Sequence, residues 1–165
     1  MPSDLPIHRA SYKGSYGEVA EELENGQDPN TPGAQNRYPL HRAVAGKSDK
    51  IVSLLLKHGA ECDIKDKAGK TPLHWAAMLD AVNCAHVLLL EGKCNVDCKA
   101  KNGRTPCHFA ASENKMRMLE WLLENGAQPD ALDNNGQTPY DLGRYPCPCF
   151  YQSSLSFVVA FHLVP

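Results

Sequence analysis

The stretch Thr71-Pro72-Leu73-His74-Trp75-Ala76-Ala77 decides how this chain is read, because its proline returns along the sequence at a nearly fixed interval. Pro6, Pro39, Pro72, Pro106 and Pro139 are separated by 33, 33, 34 and 33 residues. Around them stand Leu5-Pro6-Ile7-His8, Tyr38-Pro39-Leu40-His41, Thr105-Pro106-Cys107-His108 and Thr138-Pro139-Tyr140-Asp141, each followed by small residues such as Ala43, Ala76 and Ala110. Gly26, Gly59, Gly92 and Gly126 repeat in phase at 33, 33 and 34. The single inserted residue therefore lies between Gly92 and Pro106, near Lys93-Cys94. Self-similarity at this period is the signature of an array of stacked units.

Each unit carries start and stop signals for two helices. Threonine before proline offers an N-cap acceptor ahead of a residue whose fixed φ suits a first helical turn. Ser48 is expected to cap a second helix from Asp49 to His58, whose apolar stripe is Ile51, Val52, Leu55 and Leu56 and whose stop is Gly59. Cys84, Ala85, Leu88 and Leu89 repeat the stripe, as do Met118, Leu119, Leu122 and Leu123. A unit this small cannot bury such a stripe alone, so the units must stack and share one core. In the first unit the stripe reads Glu18, Val19, Glu22 and Leu23, which suits an amino-terminal cap with no repeat before it.

These recurring markers resemble the ankyrin repeat family over about residues 4 to 145. The resemblance implies an all-α solenoid of helix-turn-helix units with projecting β-turn fingers. The units fall near 4–36, 37–69, 70–103 and 104–136, with a truncated fifth at 137–145, and together form one array over 1–145. It also implies that His8, His41, His74 and His108 hydrogen-bond within the turn network that locks neighbouring fingers. Tyr145-Pro146-Cys147-Pro148-Cys149 breaks the pattern, and residues 146–165 form a non-repeat apolar tail.

Composition narrows the function. With 17 basic against 19 acidic residues and a formal charge of -2, the chain lacks the cationic excess of phosphate-tracking proteins, so nucleic acid is not the expected partner. Met1 to Gly17 holds no apolar run, and Leu155 to Val164 is interrupted by Ser156 and His162 and falls short of the roughly 20 residues a bilayer span requires. No membrane span is expected, and the chain is read as cytoplasmic, nuclear or both. Seven cysteines, an odd number at irregular spacing, fit reduced thiols better than a disulfide framework. Cys62, Cys84 and Cys107 are read as packing residues.

No cofactor, metal or catalytic residue is expected. The histidines come one per repeat and do not converge, and neither Cys94-x3-Cys98 nor Cys147-Pro148-Cys149 is followed by a second pair at zinc-finger spacing. Ala45-Gly46-Lys47-Ser48 resembles the end of a phosphate loop, but the first glycine of that motif would fall on His41. The chain is read as a non-enzymatic, monomeric protein-interaction module: an adaptor, scaffold or inhibitor holding a partner protein on its concave face. Two competing expectations stand beside it. One is an incomplete form of a longer repeat protein with little activity of its own. The other is a thiol or metal protein using Cys94, Cys98, Cys147 and Cys149.

The resemblance places the partner surface on the fingers and inner helices, at Arg37, Arg42, Lys67, Lys70, Trp75, Met78, Leu79, Lys101, Arg104, Phe109 and Glu113. Trp75, Met78 and Leu79 form an i, i+3, i+4 apolar triplet, and Phe109 matches Trp75 one unit on. The two aromatics fit either of two roles, contact anchors or wedges between stacked helices. Fingers 30–37, 63–70 and 97–104 carry formal charges of +1, +1 and +2, whereas 130–137 carries -2.

Overall fold

The chain's architecture is described by a computed structural model covering residues 3–143; the tail at 146–165, with Cys147 and Cys149, lies outside the described residues. Among those residues all regular structure is helical. The inner helices are α1 (Pro6–Lys13), α3 (Pro39–Ala45), α5 (Pro72–Leu79), α7 (Pro106–Ser112) and α9 (Pro139–Leu142). The outer helices are α2 (Tyr16–Glu24), α4 (Asp49–Lys57), α6 (Val82–Leu90) and α8 (Met116–Glu124). Inner helices pack on inner helices from α1 to α9, outer helices on outer helices from α2 to α8, and each inner helix on the outer helix that follows it, α9 apart. The result is an ankyrin solenoid.

The core runs between the two rows. Ile51, Val52 and Leu55 of α4, Cys84, Ala85 and Leu88 of α6, and Met118, Leu119 and Leu122 of α8 are buried, as are Leu40, Leu73 and Cys107 on the inner helices. At the amino-terminal end Val19 and Leu23 are buried, Glu22 is half-buried and Glu18 is exposed, so the outer helix with half its apolar stripe sits where only one side needs covering.

Two local expectations are corrected. The Ser48 side chain makes no cap hydrogen bond, and α4 ends at Lys57. At the inner helices it is the third helical residue that caps. His74 Nδ1 accepts the Thr71 backbone N–H at 3.1 Å and His108 Nδ1 that of Thr105 at 3.1 Å, while the threonine hydroxyls turn toward the same imidazole nitrogens at 2.9 Å. Threonine caps by its own oxygen at Thr138, where Asp141 replaces the histidine.

The extra residue between the third and fourth units is taken up at the end of α6. Gly26, Gly59 and Gly126 are left-handed, with φ of 85°, 87° and 88°, but in the third unit that role passes from Gly92 to Lys93 at φ 53°. The hydrogen bond closing the outer helix shifts with it. Gln27, Ala60 and Ala127 donate to Glu22, Leu55 and Leu122, five residues back, whereas Cys94 donates to Leu88, six back.

Candidate protein-interaction surface

Between successive units the chain projects as a finger whose base is closed by a backbone hydrogen bond: Gly33 to Arg37, Asp66 to Lys70, Ala100 to Arg104 and Asp133 to Gln137. Glycine is required at the turn of the last three, where Gly69, Gly103 and Gly136 take φ near 75°; in the first finger Asn36 occupies that place at φ 57°. The fingers are tied edge to edge, since Lys67 N–H donates to Gln35 O at 3.0 Å, Lys101 N–H to Ala68 O at 3.2 Å and Asn134 N–H to Asn102 O at 3.0 Å.

The repeat histidines bolt each inner helix to the base of the finger leading into the next unit. His41 Nε2 lies 2.9 Å from Lys70 O, His74 Nε2 3.0 Å from Arg104 O, and His108 Nε2 3.0 Å from Gln137 O. A backbone N–H can only donate and a carbonyl can only accept, so Nδ1 is unprotonated and Nε2 carries the hydrogen: the neutral imidazole is fixed in one tautomer. Burial also disfavours the charged form and holds His41 and His74 down at about 4. His8 departs from this pattern, donating instead to Thr31 O at 3.0 Å. Gly33 there lacks the finger carboxylate, and Asp4 from the preceding segment supplies one, accepting from Ala34 N–H at 2.9 Å.

A second column lies beside the histidines. In three cases the residue two before an inner-helix proline reaches the inner helix of the unit beyond: Asp4 pairs with Arg42, Arg37 stacks its guanidinium 4.7 Å from the Trp75 ring centre, and Lys70 places Nζ 4.9 Å from that of Phe109. Arg104 donates instead to Asp133 Oδ2 at 3.2 Å. Trp75 is pinned further, its Nε1–H donating to Asp66 Oδ2 at 3.1 Å. Sequence reading missed this column. The signal was present as partners 38 or 39 residues apart, one repeat plus the step from finger to inner helix.

These contacts sort the residues expected to meet a partner. Phe109 is only 6% exposed, packed against the His74 edge at 5.3 Å and lidded by Lys70, so its ring sits between units. Trp75 is half-buried under Arg37. Arg42, Arg37, Lys70 and Arg104 are half-buried and engaged as described. Lys67, Lys101 and Glu113 are exposed. Met78 is half-buried, packs against the core and accepts from Lys70 Nζ at 3.4 Å. Leu79 is half-buried at the end of α5. Lys70 thus meets Met78, Asp66 of the same finger holds Trp75, and the fingertip Lys67 and Lys101 are exposed.

The cysteines are arranged differently from the expectation of unpaired packing thiols. Cys62 and Cys94 are joined across the interface of the second and third units, with a Cα–Cα distance of 5.5 Å. Cys98 lies apart from Cys94, with its sulfur 3.2 Å from Thr71 Oγ1. Among the described residues no group of three or more potential ligands stands ready to hold a metal, and no helix is long and apolar enough to cross a membrane.

Comparison with known proteins agrees with this geometry. A profile described as "Ankyrin repeats (3 copies)" matches residues 7–99, and one described as "Ankyrin repeats (many copies)" matches residues 89–142. The chain belongs to the ankyrin repeat family. It is 36% identical over 77 residues to human "Arf-GAP with coiled-coil, ANK repeat and PH domain-containing protein 2", covering 46% of this chain and 10% of that protein. It is 35% identical over 71 residues to the Arabidopsis thaliana "E3 ubiquitin-protein ligase KEG", covering 43% and 4%. It is 41% identical over 63 residues to mouse "Ankyrin repeat and SOCS box protein 16", covering 37% and 14%. The chain therefore spans a small fraction of these relatives' lengths. Ankyrin repeats are in general protein–protein interaction modules and typically carry no catalysis.

Proposed function

We propose that this chain is a monomeric adaptor, scaffold or inhibitor, acting in the cytoplasm or nucleus, that holds one partner protein against its fingers and inner helices. The observation that carries this reading is the patch around α5. Leu79 and Met78 stand at the end of an inner helix, Trp75 is held flat by Arg37, and the exposed Lys67 and Lys101 flank them from two adjacent fingers. A rigid aromatic and aliphatic centre within a cationic rim suits a partner segment bearing apolar side chains and carboxylates. The contact residues of this reading are Arg37, Arg42, Lys67, Lys70, Trp75, Met78, Leu79, Lys101, Arg104 and Glu113, with Phe109 supporting the patch from beneath.

The test is binding kinetics with a captured partner. Met78 also packs against the core, so Leu79→Ala is the cleaner probe. Truncating an anchor should weaken binding by about 2 kcal/mol, roughly 30-fold, mainly through faster dissociation. Lys67→Ala with Lys101→Ala should instead slow association and flatten its salt dependence. Wild-type dissociation from correctly folded Leu79→Ala and Met78→Ala would place the contact elsewhere.

A further inference from the structure

The pairing of Cys62 with Cys94 falls at a contact between neighbouring units whose positions recur along the array. Counted from the left-handed residue that ends each outer helix, Cys62 occupies the place of Pro29, Val96 and Pro129, and Cys94 that of Gln27, Ala60 and Ala127. The register therefore matches the Cys62–Cys94 contact with Pro29 facing Ala60 and Val96 facing Ala127. At one interface only, between the second and third units, both partners are thiols. Their Cα atoms are 5.5 Å apart, inside the range a disulfide spans without backbone movement.

The surroundings keep the pair in place and apart from the other thiols. A Cβ on Gly92 would stand 2.5 Å from Cys62 Sγ and 2.7 Å from Leu88 O, so the glycine leaves the space the sulfur fills. Cys62 and Cys94 are 8% and 7% exposed, at the margin of the core. Cys84, Cys98 and Cys107 are buried and unpaired among the described residues, and burial pushes their thiols up to about 12, 11 and 12, which keeps them protonated and unreactive.

We propose that Cys62 and Cys94 form a reversible disulfide site, oxidised by a small-molecule disulfide such as glutathione disulfide, that staples the second unit to the third. One protein thiolate attacks a glutathione sulfur, forming a mixed disulfide and releasing one glutathione thiolate. The other protein thiolate then attacks the protein sulfur of that bond and displaces the second glutathione. The two cysteines lose two electrons and two protons, and glutathione disulfide becomes two glutathione thiols. The bond closes a loop between positions 32 apart that contains the second finger, α5 and α6. Opening of this interface is then restricted in the oxidised protein and permitted in the reduced one.

The experiment equilibrates the full chain in reduced and in oxidised glutathione, maps its peptides without reduction, and measures its unfolding equilibrium in urea in both states. Expected are a linked Cys62–Cys94 peptide in the oxidised sample and an unfolding constant on the order of 100-fold smaller than in the reduced sample. Cys94→Ala and Cys62→Val, residues that neighbouring units use at these places, should each abolish the difference while leaving the reduced stability close to wild type. Separate glutathione adducts on Cys62 and Cys94, free thiols at both in the oxidised buffer, or linkage with no change in unfolding would each overturn the proposal.

Discussion

Replacing His74 by alanine removes both halves of a bolt. In the folded chain the imidazole is fully buried, its Nδ1 accepts the Thr71 N–H at 3.1 Å, and its Nε2–H donates to Arg104 O at 3.0 Å. Alanine leaves a completely buried N–H at Thr71 and the finger carbonyl of Arg104 without these partners, each worth about 1 to 3 kcal/mol when left dry. The Phe109 ring, packed edge to face at 5.3 Å, loses its neighbour as well. The sum is roughly 3 to 5 kcal/mol, a large part of the 5 to 15 kcal/mol typical of a domain. Urea unfolding followed by circular dichroism and by fluorescence of Trp75 and Trp121 measures it. The exposed His86 serves as control, and His86→Ala should cost within about 0.5 kcal/mol. A His74→Ala midpoint indistinguishable from that of His86→Ala would refute the bolt.

The same geometry predicts a pH dependence. His41 and His74 titrate at about 4 in the fold against 6.5 when exposed, so the unfolded chain binds more protons in between. Stability is full above about 6.5 and falls as pH drops toward 4, by about 3 kcal/mol per histidine, which urea midpoints measured across that window should show. Leu88→Ala, a truncation at a completely buried core position, should cost about 2 to 5 kcal/mol, whereas Lys101→Ala on an exposed fingertip should cost within about 0.5, compared by thermal or urea unfolding.

Much of the fold is legible in the sequence because its determinants are local. Proline at the first helical position, histidine two residues later and glycine after the outer helix each act within a turn or two of where they stand. The histidine's second bond, to the next finger, was reached through family resemblance rather than from spacing. What stayed hidden depends on how units stack. Arg37 meets Trp75 and Lys70 meets Phe109 only once the solenoid sets one repeat above another, and that contact moves Phe109 from candidate anchor toward internal wedge. Cys62 reads as a packing residue and Cys94 as half of the close pair Cys94-x3-Cys98 because close spacing was the criterion, and stacking brings together positions 32 apart. The first finger also follows a different rule. It turns through left-handed Gln35 and Asn36 and borrows Asp4, whereas the third finger, whose Ala100 likewise lacks the carboxylate of Asp66 and Asp133, keeps the glycine turn at Gly103.

The partner-facing role of the α5 patch is tested most directly by hydrogen–deuterium exchange of the full chain, alone and with a captured partner. The account predicts that protection appears in the fingers at 64–70 and 98–104 and in α5 through Leu79, while α2, α4 and α6 exchange as before. Protection confined to the outer helices, with the fingers and α5 unchanged, would contradict it.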